Sequence, residues 1–244
     1  MVEDERKTLE AMKQDLKIWT VYHKDGLLEQ YPIHNLDTHG YYAAHGDDRG
    51  EGINKLNPAW SELVALYYIW HKQIVSEYVG INHYRRQFDP KQLPKHGECC
   101  CYAQYDLHDT ILDHYGKCHH REDLQMVIDY LDEFYGSGNK HSHYLTTSTT
   151  LLGNICFVMR WREFADMCEW LFGKLFTIEE RMIGKSYYYQ ERLDRWYDKA
   201  VRDFGEERAD YQMRTISFIG ERLVSAWIAT NMKVIEIHAV NPYL

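Results

Sequence analysis

The sequence predicts a single α/β domain, and three stretches carry that expectation. "LKIWTVYHK" (16–24) concentrates β-branched and aromatic residues and reads as a strand. "WSELVALYYIW" (60–70) places Leu63, Leu66, Tyr67 and Trp70 at helical spacing. "YVGIN" (78–82) reads as a second strand. Strand, connection, helix, strand is the order of an α/β fold. The chain has 244 residues, within reach of one large domain, and no repeat or linker divides it.

The elements follow in order. Residues 1–15 are charged, lack the apolar core of a secretion signal, and read as an N-terminal extension. From Asp25 to Pro58 the polar, glycine-bearing sequence predicts loop. Ser61 stands as the N-cap of a helix that ends near Lys72. Beyond Phe88, Pro90 and Pro94 interrupt the chain. Residues 104–134 carry helices, with Leu124, Val127, Ile128 and Leu131 on one face. "TTLLGNICFVM" (149–159) predicts a third strand, and a helix runs from Trp161 to about Met182. Leu193, Trp196, Tyr197, Ala200, Val201 and Phe204 predict an amphipathic helix, read as packed rather than as a dimer or membrane contact. A last helix over 214–230 precedes a terminal strand, "KVIEIHAV".

Composition excludes some classes. A net charge of −9 argues against a general nucleic-acid binder. No run approaches the roughly 18 apolar residues of a membrane span. The chain reads as cytoplasmic. Cys99, Cys100 and Cys101 are contiguous and Cys118, Cys156 and Cys168 scattered, which is no disulfide framework. Without a C-x-x-C pair, zinc bound by these cysteines with His119 and His120 is disfavoured.

The chemistry concentrates at one place. There is no P-loop, G-x-G-x-x-G, G-x-S-x-G or D-x-D. What remains is His83, Tyr84, Arg85 and Arg86, directly after "YVGIN". Open α/β sheets bind ligands beyond the carboxyl ends of their strands. Two guanidiniums there suit phosphate oxygens, and His83 adds a donor or a proton carrier. The alternative is that both arginines pair with acidic residues of a neighbouring helix. His141 and His143 read as solvated, and Trp70 and Trp170 as core.

"NPAWSELVALYYIW" followed by "YVGINHYRRQF" resembles a bacterial family first catalogued as a domain of unknown function and described as exopolysaccharide or capsular polysaccharide biosynthesis glycosyltransferases. The matching positions are Asn57, Pro58, Glu62, Leu63, Ala65, Leu66, Tyr67, Ile69 and Trp70, then His83 to Arg86. "DHYGKCHHREDL", "GNICFVMRWREFADMCEWLF" and "FIGERLVSAWI" resemble later segments in family order. Residues 183–213 run longer than the resemblance leads one to expect.

The resemblance implies a GT-A-like fold, a Rossmann-type mixed sheet flanked by helices, as one domain over 16–244. It implies a glycosyltransferase that takes a nucleotide sugar, expected to be UDP-linked, and a saccharide acceptor, expected to be lipid-linked, in capsule or exopolysaccharide synthesis. Donor-side residues would be His23, Lys24, Asn57, Glu62, Tyr84, Arg85, Arg86 and Asn154. Glu221 would activate the acceptor, with His83 as the other catalytic group. Asp113, His114, Tyr115, His119 and Arg222 would be acceptor-side or supporting residues. Cationic side chains would take the place of a metal ion, so no metal or other cofactor is expected. No nucleic acid is expected as a partner, and there is room for peripheral contact with the inner face of the membrane and for a homo-oligomer through 186–204. Two other classes stay open. One is a non-catalytic nucleotide- or carbohydrate-binding module. The other is a metal-dependent hydrolase or phosphotransferase using the histidines.

Overall fold

A computed structural model describes residues 16–22, 38–42, 53–85, 93–102, 104–183 and 189–237. His23, Lys24, Arg86 and the 1–15 extension lie outside these residues. The order is β1 (Leu16–Tyr22), β2 (Thr38–Tyr42), a 3-10 turn (Asn54–Leu56), α1 (Asn57–Trp60), α2 (Leu63–His71), β3 (Tyr78–His83), β4 (Glu98–Cys101) and β5 (Gln104–Asp106). Then come α3 (Ile111–Cys118), α4 (Arg121–Tyr135), α5 (Lys140–Thr147), β6 (Thr150–Leu152), β7 (Phe157–Arg160), α6 (Trp161–Ile183), α7 (Tyr189–Phe204), α8 (Glu206–Gln212), α9 (Thr215–Asn231) and β8 (Lys233–Glu236).

The main sheet has the order β2-β1-β3-β7-β4-β8. β7 runs antiparallel to both neighbours, while the β1–β2, β1–β3 and β4–β8 pairs are parallel. β3 is buried at every position, as an inner strand covered on both faces must be. Val21, Val79, Ile81, Phe157 and Met159 meet the helices in the larger core, with Leu63, Phe164, Leu171, Ile219 and Leu223. Leu16, Ile18, Tyr78, Cys100, Cys156 and Val158 form a smaller core on the other face. β5 and β6 pair separately. This is the expected mixed sheet flanked by helices.

The cysteine run forms a strand. Cys99 and Cys101 join the larger core and Cys100 the smaller, because successive side chains of a strand alternate. Burial pushes the Cys100 thiol up to about 12, so it stays protonated. Among the described residues no group of three His, Cys, Asp or Glu side chains is placed to hold a metal.

Several boundaries differ from the expected ones. The stretch expected as loop to Pro58 contains β2, the 3-10 turn and the start of α1. Ser61 closes α1 in a left-handed conformation (φ 46°) instead of opening the next helix. The single strand expected over 149–159 is two, β6 and β7, separated by a turn with Asn154 at φ 65° and Ile155 at φ 49°. His141 is buried, its ring between Tyr135 and Trp170 and its Nδ1 3.1 Å from Thr230 Oγ1, whereas His143 is exposed as expected. In α7, Trp196 and Ala200 are buried, and the helix packs on α8 and α6 within the chain.

The placement of α9 depends on a glycine. A Cβ on Gly220 would stand 2.4 Å from Leu63 Cδ1, so α9 approaches the start of α2 as closely as a bare Cα allows. Gly220→Ala is therefore expected to lose about 1–3 kcal/mol of stability through overpacking, despite the better helix propensity of alanine. Chemical denaturation measures this, and an unchanged midpoint would show that Leu63 yields freely.

Candidate functional site

A cleft of about 780 Å³ opens at the carboxyl ends of β1 and β3. The register pairs Val21 with His83, so the two strands finish level and their following residues share one rim. Val21, Tyr22, His83, Tyr84 and Arg85 line this rim, and Asn57, Pro58, Ser61 and Glu62 come from α1 and its junction with α2. Asn154 and Ile155 come from the turn before β7, and Arg214, Ser217, Phe218, Glu221 and Arg222 from the start of α9. Asp194, Tyr197, Asp210 and Tyr211 of α7 and α8 also line it.

The rim is cross-tied. Glu62 faces His83 Nε2 at 3.5 Å with one oxygen and Arg214 Nη2 at 3.8 Å with the other. Arg214 Nε donates to Ser61 Oγ at 2.8 Å. His83 Nδ1 accepts the Arg85 N–H at 3.2 Å, so the neutral ring carries its proton on Nε2, toward Glu62. The sequence reading expects a hydrogen-bond donor or proton carrier at His83; in this geometry the ring links Glu62 to the Arg85 backbone. Tyr84 packs on His83 with ring centroids 4.1 Å apart, and the Arg85 guanidinium lies over the Tyr84 ring at 5.3 Å.

A second set of ties surrounds Glu221. Its Oε1 accepts the Asn154 N–H at 2.6 Å and its Oε2 accepts from Arg222 Nη1 at 2.6 Å. The carboxylate thereby joins α9 to the left-handed turn, while Asn154 Nδ2 donates to the Tyr105 hydroxyl at 2.7 Å. Arg222 is buried, with its guanidinium over the Tyr115 ring at 5.4 Å, and its Nε has no partner among the described residues. α9 begins at Arg214 without a side-chain cap or an acidic residue in its first turn.

The structure brings together Asn57, Glu62, His83, Tyr84, Arg85, His119, Asn154, Glu221 and Arg222 of the expected residues. It does not bring Asp113, His114 and Tyr115 to the cleft wall. Asp113 is exposed, hydrogen-bonded to Thr110 at the start of α3 and to Arg121. His114 keeps its Nδ1 buried, and burial lowers its affinity for a proton. Tyr115 is fully buried and supports Arg222 from beneath. Arg214, Ser61, Tyr197, Tyr211, Asp194 and Asp210 were missed. An arginine directly before the apolar run "TISFIGERL" was a readable signal of a cation at a helix start. The aromatic residues of α7 and α8 had no such signal, because their helical spacing equally predicts core.

Two histidines set a pH dependence. Burial pushes His119 and His141 down to about 4, so both are neutral in the folded chain. In the unfolded chain they take up protons near pH 6.5. Stability is therefore expected to fall as pH drops from about 6.5 toward 4. Asp123, pushed up to about 6 by burial, opposes this over part of the range. Melting temperatures across pH 4–7 measure the sum, and His141→Gln is expected to flatten the slope.

The sheet, with one antiparallel strand among parallel ones and a cleft at the strand ends, is that of a GT-A-like α/β protein. The chain superimposes on the apo structure of WbbM, described as a bifunctional glycosyltransferase, with a TM-score of 0.66 and 19% identity. That match covers 92% of this chain and 44% of WbbM, so the chain spans less than half of that protein. No curated protein sequence matches. The chain belongs to the family described as Domain of unknown function (DUF4422), whose model matches residues 17–108 and 90–197. Among the described residues no helix is long and apolar enough to cross a membrane.

Proposed function

We propose that the protein is a glycosyltransferase that moves a sugar from a nucleotide sugar, of the UDP type, to a saccharide acceptor. The observation that carries this reading is the convergence of Arg85, Arg214 and the partly unpartnered Arg222 on one cleft at the ends of parallel strands. Guanidiniums are donors suited to phosphate oxygens. They stabilise charge on a departing nucleoside diphosphate without reorganising at the moment of transfer. Glu221 is the carboxylate for the acceptor hydroxyl. His83 holds Glu62 and the Arg85 backbone in place. A lipid-linked acceptor, and a role in capsule or exopolysaccharide assembly at the inner membrane face, extend the same reading from the family resemblance.

The test is nucleotide release from a panel of nucleotide sugars, combined with thermal shifts. UDP and its sugar conjugates are expected to raise the melting temperature more than free hexoses at equal concentration. Equal stabilisation by free hexose would remove the phosphate reading, and binding without nucleotide release would leave a non-catalytic module.

In this reading transfer does not depend on a divalent ion, because the arginines carry the diphosphate charge. Rates are expected to be unchanged in excess chelator. Silencing by chelator and rescue by magnesium or manganese would overturn this. The ligands would then be sought at Asp194 and Asp210 on the cleft wall. Asp106, Asp109 and Asp113, the other acidic candidates, face His108, Lys117 and Arg121 outside the cleft.

A further inference from the structure

The part of the cleft built by the end of α3, by α8 and by the start of α9 has chemistry unlike the arginine rim. His119 is buried to 7% exposure, its ring between Tyr115 at 4.8 Å and Phe218 at 4.0 Å. Tyr211 continues this stack on Phe218 at 4.9 Å, yet remains 50% exposed where it lines the cleft. A half-open tyrosine on a cleft wall offers an apolar face with a polar tip.

The tautomer of His119 follows from its neighbours. The Cys118 carbonyl can only accept, so the Gln212 amide turns its Nε2 toward it, at 3.1 Å. Gln212 Oε1 then faces His119 Nδ1 at 3.0 Å and must accept. Gln212 is itself 3% exposed, and flipping its amide would leave two buried groups opposed. The proton of the neutral ring therefore sits on Nδ1. Nε2 keeps a bare lone pair and makes no hydrogen bond among the described residues. Asp210 lines the cleft from the helix that carries Tyr211 and Gln212.

A bare imidazole nitrogen and a carboxylate repel phosphate but accept hydrogen bonds from hydroxyls. An aromatic face beside them suits the C–H face of a pyranose. We propose that Tyr211, His119 and Asp210 form a subsite for an uncharged hexopyranose ring. Tyr211 stacks on the ring, His119 Nε2 and Asp210 accept from its hydroxyls, and Gln212 acts as a positioning residue that fixes the His119 tautomer. The proposal deepens the glycosyltransferase reading and rests on it for the ring's role, not for its binding.

The experiment measures saturation-transfer NMR and titrations of the full chain with a panel of methyl hexopyranosides, and separately with UDP. At least one methyl hexopyranoside is expected to bind at millimolar concentration. Tyr211→Ala is expected to weaken it tenfold or more and Tyr211→Phe less than threefold, with UDP affinity unchanged in both. The ¹⁵N resonances of the His119 ring are expected to show Nδ1 protonated and Nε2 bare, with Gln212→Leu giving a tautomer mixture. If UDP binds and no methyl hexopyranoside does, the subsite is wrong and the transferase reading stands. If a methyl hexopyranoside binds at Tyr211 but UDP does not, the subsite stands and the transferase reading falls. If neither binds, both fall. A phenylalanine variant as weak as alanine overturns the stacking role, and an Nε2-protonated His119 overturns the acceptor role. To assign the ring, UDP is compared with UDP-hexoses in Tyr211→Ala. Loss of the affinity difference between them places the donor's sugar there, and its retention places the acceptor's.

Discussion

Glu221→Gln is expected to lower the rate of transfer by about 10²–10⁴-fold while leaving donor affinity within a factor of two. The glutamate carries a negative charge into a cleft wall through two short hydrogen bonds, from the Asn154 N–H and from Arg222. Both hold its direction. Its side chain is about one-fifth exposed, which leaves room for an acceptor hydroxyl. Glutamine keeps the shape but cannot take a proton. It also must present an NH₂ either to the Asn154 N–H or to Arg222, so a stability loss of about 1–2 kcal/mol is expected alongside. Nucleotide release, donor titration and a melt on the same preparation separate the two effects. Unchanged turnover in a destabilised variant would make Glu221 a structural tie only.

The second large effect is on donor affinity. Arg85→Ala and Arg214→Ala are each expected to weaken UDP binding by roughly ten- to hundred-fold, since a charge-assisted bidentate contact contributes about 1.5–3 kcal/mol. Arg85 is exposed, and its guanidinium lies over the Tyr84 ring, so its removal loosens that stack. Arg214 leaves Ser61 and Glu62 behind at the surface of the cleft, and its variant is expected to melt slightly lower. Lysine is expected to restore part of the affinity at either position, because it returns charge without the planar fork. Full UDP affinity in both alanine variants would move the phosphate site elsewhere.

The sequence made the strand ends legible because a buried apolar run ending in His-Tyr-Arg-Arg conflicts with any simple core or loop. It made β1 and β3 legible through β-branched, aromatic and apolar composition, and α2, α6 and α9 through helical stretches of apolar residues. β2 and β4 were hidden for physical reasons. "THGYY" is short and sits in a polar context, and three cysteines carry no alternation that a reader can see. The division of 149–159 is marked by Gly153 and Asn154, residues that favour turns, but the apolar residues on both sides and Ile155, a β-branched residue in a left-handed conformation, make the stretch read as one strand. Glu221 stands out in the sequence as a carboxylate within the segment that carries the family resemblance. Its partner Asn154 lies 67 residues away, and only the folded turn brings the two together. Arg214, Tyr211 and Gln212 escaped because their roles come from neighbours distant in the chain rather than from any local pattern.

The two sides of the cleft have separate genetic addresses. The rim of strand ends and α1 is encoded by residues 16–85, whereas the α7–α8 wall is one uninterrupted stretch between α6 and α9. A stretch bounded by two core helices can be lengthened, shortened or recombined without altering the sheet register. A change of length or sequence confined to this block would therefore alter what the α7–α8 wall accepts and leave the strand-end rim in place.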